Sequence, residues 1–216
     1  MIRLLSENEC HVYLGNSRSY LNSYSTFINE LSTEERAKAS SFRIERDKIT
    51  YVVCHYWLRK ILSELLQISM QNVMLTVEAS AKPFLVNDLL SAEKSNVNFN
   101  ISHSADYFVI AVNKNFQVGV DIEQFTTRAD FADVVNNYFT NAEKQQWQLL
   151  DQMQKSRYFS EVWTQKEAIV KTSGLGVTAI KDAQLRGDYQ LVSSGYMDCC
   201  YSICFHKSYA LQEIIL

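Results

Sequence analysis

A chain of 216 residues with 47% hydrophobic content can bury a sizeable core, which excludes intrinsic disorder and points to a globular protein of one large or two small domains. Its formal charge of −3, with signs mixed along the chain, offers no basic stripe to neutralise phosphates, so no nucleic-acid partner is expected. Met1 to Cys10 lacks the apolar run of a secretory signal and no later stretch is long enough to span a bilayer; a cytoplasmic protein with no membrane partner is expected, its cysteines reduced because none shows C-x-x-C spacing.

In chain order, the first predicted element is helical and runs from Ser32 to Gln67. Ser32-x-x-Glu35 has capping-box form, and Tyr51, Val52, Leu58, Ile61, Leu62 and Leu65 leave an apolar face. Val73–Val77 reads as a strand. Val97–Ile101, Phe108–Val112 and Phe116–Glu123 read as further strands of a small sheet with a hairpin, the last two joined tightly at Asn113-Lys114-Asn115. Phe131–Phe139 is expected to be helical, Thr140-x-x-Glu143 repeats the capping-box form, and Ser156–Thr172 is a strong helix before Gly174 and Gly176. Strands follow between Leu185 and Leu211. A capping box followed by a long helix bearing a tryptophan thus occurs twice, through Ser32, Glu35, Trp57 and Lys60 and through Thr140, Glu143, Trp163 and Lys166, which raises a duplication with a pocket between the halves.

Four strings carry chemistry. In Gly119-Val120-Asp121-Ile122-Glu123 the strand period of two puts both carboxylates on one face, a pairing that a hard divalent cation relieves, with Gly119 leaving room beside them. A lone D-x-E is ordinarily one solvated face of a strand. On the later helix Trp163, Glu167 and Lys171 share a face at i, i+4 and i+8, which by itself reads as a core aromatic beside a routine Glu–Lys pair. Asn100-Ile101-Ser102-His103-Ser104 ends a strand, where Ser102 and His103 could donate to phosphate oxygens or merely form a turn; Lys82-Pro83 adds a cation on extended backbone.

In the order K-P, N-I-S-H-S, G-V-D-I-E and W-T-Q-K-E-A-x-x-K, these strings resemble the Sfp-type 4'-phosphopantetheinyl transferases of the W/KEA branch, from about Ser32 to Gly176. The resemblance implies an α/β (α+β) pseudo-dimer of two similar halves, 1–112 and 113–216, each a small sheet packed with a long helix, acting as a monomer. It implies coenzyme A in the cleft as substrate, Mg2+ (or Mn2+) as cofactor and an apo acyl or peptidyl carrier protein as partner. By similarity Asp121, Glu123 and Glu167 are the metal-site carboxylates, Glu167 the general base and Lys171 the cation at the pyrophosphate. Lys38, Lys82, Pro83, Ser102 and His103 are expected to bind the nucleotide portion, His103 at the 3'-phosphate. Ala81, Thr50 and the position near Glu35 depart from the family's nucleotide-binding pattern. A metal-dependent phosphohydrolase and a non-catalytic coenzyme A or carrier-binding module are the alternatives. The acids, taken as exposed polar groups, are expected to be dispensable for folding.

Overall fold

The computed structural model describes residues 5–77, 83–86, 96–126, 131–174 and 176–216. Its first element, unassigned from sequence, is strand β1 (Glu9–Asn16), followed by a 3-10 turn and a short helix α1 (Tyr24–Asn29). The expected long helix is two: α2 (Thr33–Ser40) and α3 (Glu45–Leu66), broken at Ser41–Ile44, where Ile44 is extended and Phe42 folds back to pack on Tyr51. Ser32 and Glu35 form the predicted capping box, each side chain bonded to the other's backbone N–H.

Strands β2 (Leu75–Val77) and β3 (Pro83–Leu85) make a small ribbon, and β4 (Val97–Ser104) and β5 (Tyr107–Lys114) a hairpin. Then comes β6 (Gly119–Gln124), which does not extend that hairpin. Helices α4 (Phe131–Tyr138), α5 (Asn141–Gln148) and α6 (Gln152–Ser173) follow, then β7 (Tyr189–Tyr196), β8 (Cys199–His206) and β9 (Ala210–Ile215). Helix α6 begins earlier than its apolar pattern suggests, because Asp151 and Gln154 form a further capping box, and it ends on Gly174 in the left-handed region.

Four strands in the order β4-β5-β1-β9 form one sheet and three in the order β6-β8-β7 form another. The closing strand β9 lies parallel to β1, so the chain's end completes the first sheet. Strand β5 explains the layering: Phe108, Ile110 and Val112 pack towards α3, while Tyr107, Val109 and Ala111 join a second core with Val118, with Val120 and Ile122 of β6 and with β8. Being covered on both faces, β5 reads as an unbroken apolar run. The layers are therefore helix, sheet, sheet, helix, with α3 on one outer side and α6 on the other.

Each half has a 22-residue helix entered after a capping box. In both, the glutamate of that box reaches a cation on the long helix: Glu35 Oε2 lies 2.6 Å from Arg59 Nε, and Glu143 Oε2 lies 3.1 Å from Lys166 Nζ. The structural counterpart of Lys166 is thus Arg59, not the Lys60 suggested by the tryptophan spacing.

The face of β6 that carries Gly119, Asp121 and Glu123 turns towards α6. Gly119 does not leave room for an ion: a Cβ there would collide with the backbone of Ala168 and Thr172, so the missing side chain lets strand and helix touch main chain to main chain. Gly119→Ala is expected to lower stability by about 1–3 kcal/mol, the usual cost of overpacking, as measured by denaturant unfolding. An unchanged midpoint would show that the contact is not tight.

Candidate functional site

The first observation concerns how β6 is held against β4. No backbone ladder joins them; the side chains on alternate positions of β4 do so instead. Asn98 Oδ1 accepts from Gln117 Nε2 at 2.9 Å, Asn100 Oδ1 from the Val120 N–H at 2.9 Å, and Ser104 Oγ from the Gln124 N–H at 3.2 Å. Between these, Ser102 Oγ donates to Asp121 Oδ1 at 2.7 Å. The N-x-N-x-S-x-S alternation is therefore a polar seam between two sheets, in which the buried Asn100 amide and the half-buried Ser104 hydroxyl accept from two backbone N–H groups of β6.

From the other side, α6 presents Lys171. Its ammonium donates to Asp121 Oδ1 at 2.6 Å, to the Val120 carbonyl at 3.2 Å and to Ser102 Oγ at 3.2 Å. Asp121 and Glu167 are buried, not exposed as expected, which removes the ground for expecting them to be dispensable for folding. Burial pushes the Glu167 carboxyl above its ordinary pKa; the Asp121 charge raises it further, Lys171 opposes, and Glu123 adds to the rise. The three acids thus feel one another across the β6–α6 contact. Among the described residues no three His, Cys, Asp or Glu side chains form a ready-made metal cluster. Asp121, Glu123 and Glu167 offer oxygen donors only, with excess negative charge that Lys171 compensates in part, a donor set whose chemistry fits a hard cation.

Beside this point a cleft of about 740 Å³ opens between α2, α3, β4 and α6, and Lys38, Pro83, Ser102, His103 and Lys171 are among its lining residues. Lys82, expected beside Pro83, lies outside the described residues, as does Ala81. His103 is open to the cleft, and its imidazole is lowered from its ordinary pKa by desolvation from the walls, then by the positive charges of His55 and Lys171, against the pull of Asp47 and Asp121. Ser102 bridges Asp121 and Lys171 at the cleft's end, so its first role here is to hold the acid. Thr50 is wholly buried and ties α3 to Ser17 and to the Ala105 carbonyl.

The sequence reading missed a second cluster. Glu35, His55 and Tyr51 also line the cleft, with Glu35 bonded to His55 Nδ1 at 3.0 Å and to Arg59 Nε at 2.6 Å. Its signal was present: His55 and Arg59 interrupt a helix face that is otherwise apolar, four residues apart. Burial alone would raise the Glu35 carboxyl, but the His55 hydrogen bond and charge, the Ser32 N–H and Arg59 outweigh it and hold it at about 2.

The comparisons with known proteins agree with this layout. A model described as 4'-phosphopantetheinyl transferase, N-terminal, matches residues 18–115, and one described as the 4'-phosphopantetheinyl transferase superfamily matches residues 117–198. The human L-aminoadipate-semialdehyde dehydrogenase-phosphopantetheinyl transferase is 31% identical over 69% of this chain and 50% of its own length. The 4'-phosphopantetheinyl transferase HetI of Nostoc sp. is 28% identical over 72% of the chain and 64% of its own. The 4'-phosphopantetheinyl transferase psf-1 of Bacillus pumilus is 28% identical over 76% and 65%. The chain thus spans between half and two thirds of the length of these relatives.

Glu35 yields a pH prediction. Its folded pKa lies below the unfolded value, so its contribution to stability is complete above about pH 4.5 and is lost as the pH falls towards about 2. Glu35→Gln is expected to leave Arg59 buried without its anion, to cost about 3–5 kcal/mol at neutral pH, and to flatten the loss of stability below pH 4.5. Urea unfolding of both proteins across that range is the measurement; parallel acid slopes would remove Glu35 from this role.

Proposed function

Since the chain belongs to the 4'-phosphopantetheinyl transferase superfamily, we propose that it transfers the 4'-phosphopantetheine arm of coenzyme A to a serine of an apo carrier protein, releasing adenosine 3',5'-bisphosphate. The observation that carries this reading is a junction: Ser102 and Lys171 line the cleft and are also the two groups bonded to Asp121 Oδ1. A nucleotide lying in the cleft would therefore end at the acids.

Asp121, Glu123 and Glu167 would hold a magnesium ion, and manganese would serve, because both accept hard oxygen donors. When bound there, the ion supplies charge neutralisation at the pyrophosphate. The raised pKa of Glu167 suits it to take the proton of the carrier serine hydroxyl. As that oxygen bonds to the β-phosphorus, the bond to the bridging oxygen breaks and the bisphosphate leaves with the electron pair. Lys171, held by three acceptors, stabilises the charge on the leaving group without having to reorganise. Lys38, Lys82, Pro83, Ser102 and His103 are assigned to the nucleotide portion, with His103 at the 3'-phosphate.

The halves 1–112 and 113–216 belong to the same proposal. The transfer of β6 to the second sheet and the change of family model between residues 115 and 117 support a division here, a few residues beyond 112, since β5 runs on to Lys114. Both walls of the cleft come from one chain, which supports a monomer as the acting unit, and we place it in the cytoplasm with its carrier; no helix among the described residues is long and apolar enough to cross a membrane.

Incubation with coenzyme A, Mg2+ and apo carriers is expected to give a carrier heavier by one phosphopantetheine arm on intact-mass analysis. Release of free phosphopantetheine with an unmodified carrier would instead mean a phosphohydrolase, and an untouched coenzyme A pool a binding module. Asp121→Asn and Glu167→Gln, which keep the side-chain volume in these buried positions, are expected to lower turnover by about two or more orders of magnitude. Normal transfer by either would overturn the assigned roles.

A further inference from the structure

A carboxylate ligates a metal ion through lone pairs that it has not already given away. In Asp121, Oδ1 accepts from Lys171 Nζ at 2.6 Å and from Ser102 Oγ at 2.7 Å. The ammonium also has the Val120 carbonyl and Ser102 Oγ at 3.2 Å each, so oxygens of β4 and β6 surround it. Oxygens are also what a hard divalent cation selects. Lys171 thus makes, with its own charge, the kind of contact for which such an ion would compete. The pair is sheltered, with the Asp121 side chain 9% and the Lys171 side chain 26% exposed, so salt and water screen it little.

Charge decides the competition. Asp121, Glu123 and Glu167 draw positive charge in, and Lys171 answers part of it. A free divalent ion arriving at Asp121 meets the ammonium on the same carboxylate, where two positive centres lie close together in a poorly screened setting and repel. A diphosphate changes the balance, because each of its phosphates carries a negative charge and attracts ammonium and ion alike. Ser102 and Lys171 both line the cleft, so a diphosphate lying there would approach the ammonium from its open side. Lys171 would then exchange only its Asp121 oxygen for a phosphate oxygen. Its bonds to Val120 and Ser102 would hold it in position.

We propose that Lys171 couples the metal to the nucleotide: its grip on Asp121 disfavours uptake of a free divalent cation, and the diphosphate of coenzyme A opens the acids to the ion by taking over the ammonium. The inference rests on the reading of the cleft as a coenzyme A site. Coupling of this kind is reciprocal, so the ion also tightens the nucleotide. Removing the charge of Lys171 then has effects of opposite sign on the two ligands. The metal offered alone binds more tightly, and coenzyme A offered alone binds more weakly. A lysine that merely supported the fold would weaken both.

The test titrates the full chain with Mn2+, read from the paramagnetic resonance signal of the free ion, and with coenzyme A, read by calorimetry, each alone and then together. The unaltered protein is expected to bind Mn2+ weakly by itself and roughly 10- to 100-fold more tightly with coenzyme A present. Lys171→Met should tighten Mn2+ alone by about 10-fold or more and weaken coenzyme A alone by a similar factor. Lys171→Arg, which keeps the charge, should leave the binding of Mn2+ alone weak. Lys171→Gln carries the test if thermal unfolding shows that Lys171→Met does not fold. Mn2+ binding that is unchanged or weakened in the charge-free variants would overturn the coupling, as would an unaltered protein that holds Mn2+ equally with and without coenzyme A. Because no transfer is measured, a chain that shows the coupling yet modifies no carrier would sink the proposed function and leave this inference standing; one that modifies carriers without the coupling would do the reverse.

Discussion

Around Asp121 three separately built elements are fastened at one place. Val120, the residue before it, donates its N–H to Asn100 Oδ1 and accepts from Lys171 on its carbonyl, while the carboxylate accepts from Ser102 and Lys171. Two of these partners come from the first sheet and one from the last long helix. In a buried setting each such bond is costly to lose, since the group left behind has no water to replace it. The position of the acid is therefore tied to the relative placement of the two sheets, and the cleft between them cannot change shape without disturbing it.

Gly119 serves the same constraint from below. By letting β6 lie main chain to main chain on α6, it puts the Asp121–Glu123 face against the helix that carries Glu167 and Lys171. Hydrophobic packing of Val118, Val120 and Ile122 against the first sheet then leaves that polar face no alternative direction, because a strand cannot slip by one residue without turning three apolar side chains towards the helix.

The two halves treat their buried acids in opposite ways. Glu35 is surrounded by donors, and its carboxyl is held low; Glu167 is buried beside two other acids with one lysine nearby, and is held high. In the first arrangement the donors offset the cost of burying the charge; in the second burial and the neighbouring acids disfavour it, and a positive charge or a proton would relieve it. Related capping-box and long-helix scaffolds thus carry a binding wall in one half and a reactive acid in the other, because the neighbours of the acid differ and not its own chemistry.

Local rules were legible in the residues themselves. The capping boxes at Ser32 and Thr140, the strand alternation that pairs Asp121 with Glu123, the shared helical face of Glu167 and Lys171, and the order of the motifs all follow from periods and short-range hydrogen bonds, which depend only on neighbours in sequence. What those periods could not contain is which strand lies beside which. The pairing of β6 with β8, the return of β9 to the first sheet, the seam made by Asn98, Asn100, Ser102 and Ser104, and the joining of Glu35 to His55 and Arg59 are contacts over long sequence separations. They were decided by how two sheets and two helices can close over shared apolar faces, a packing problem whose solution exists only when the whole chain has folded.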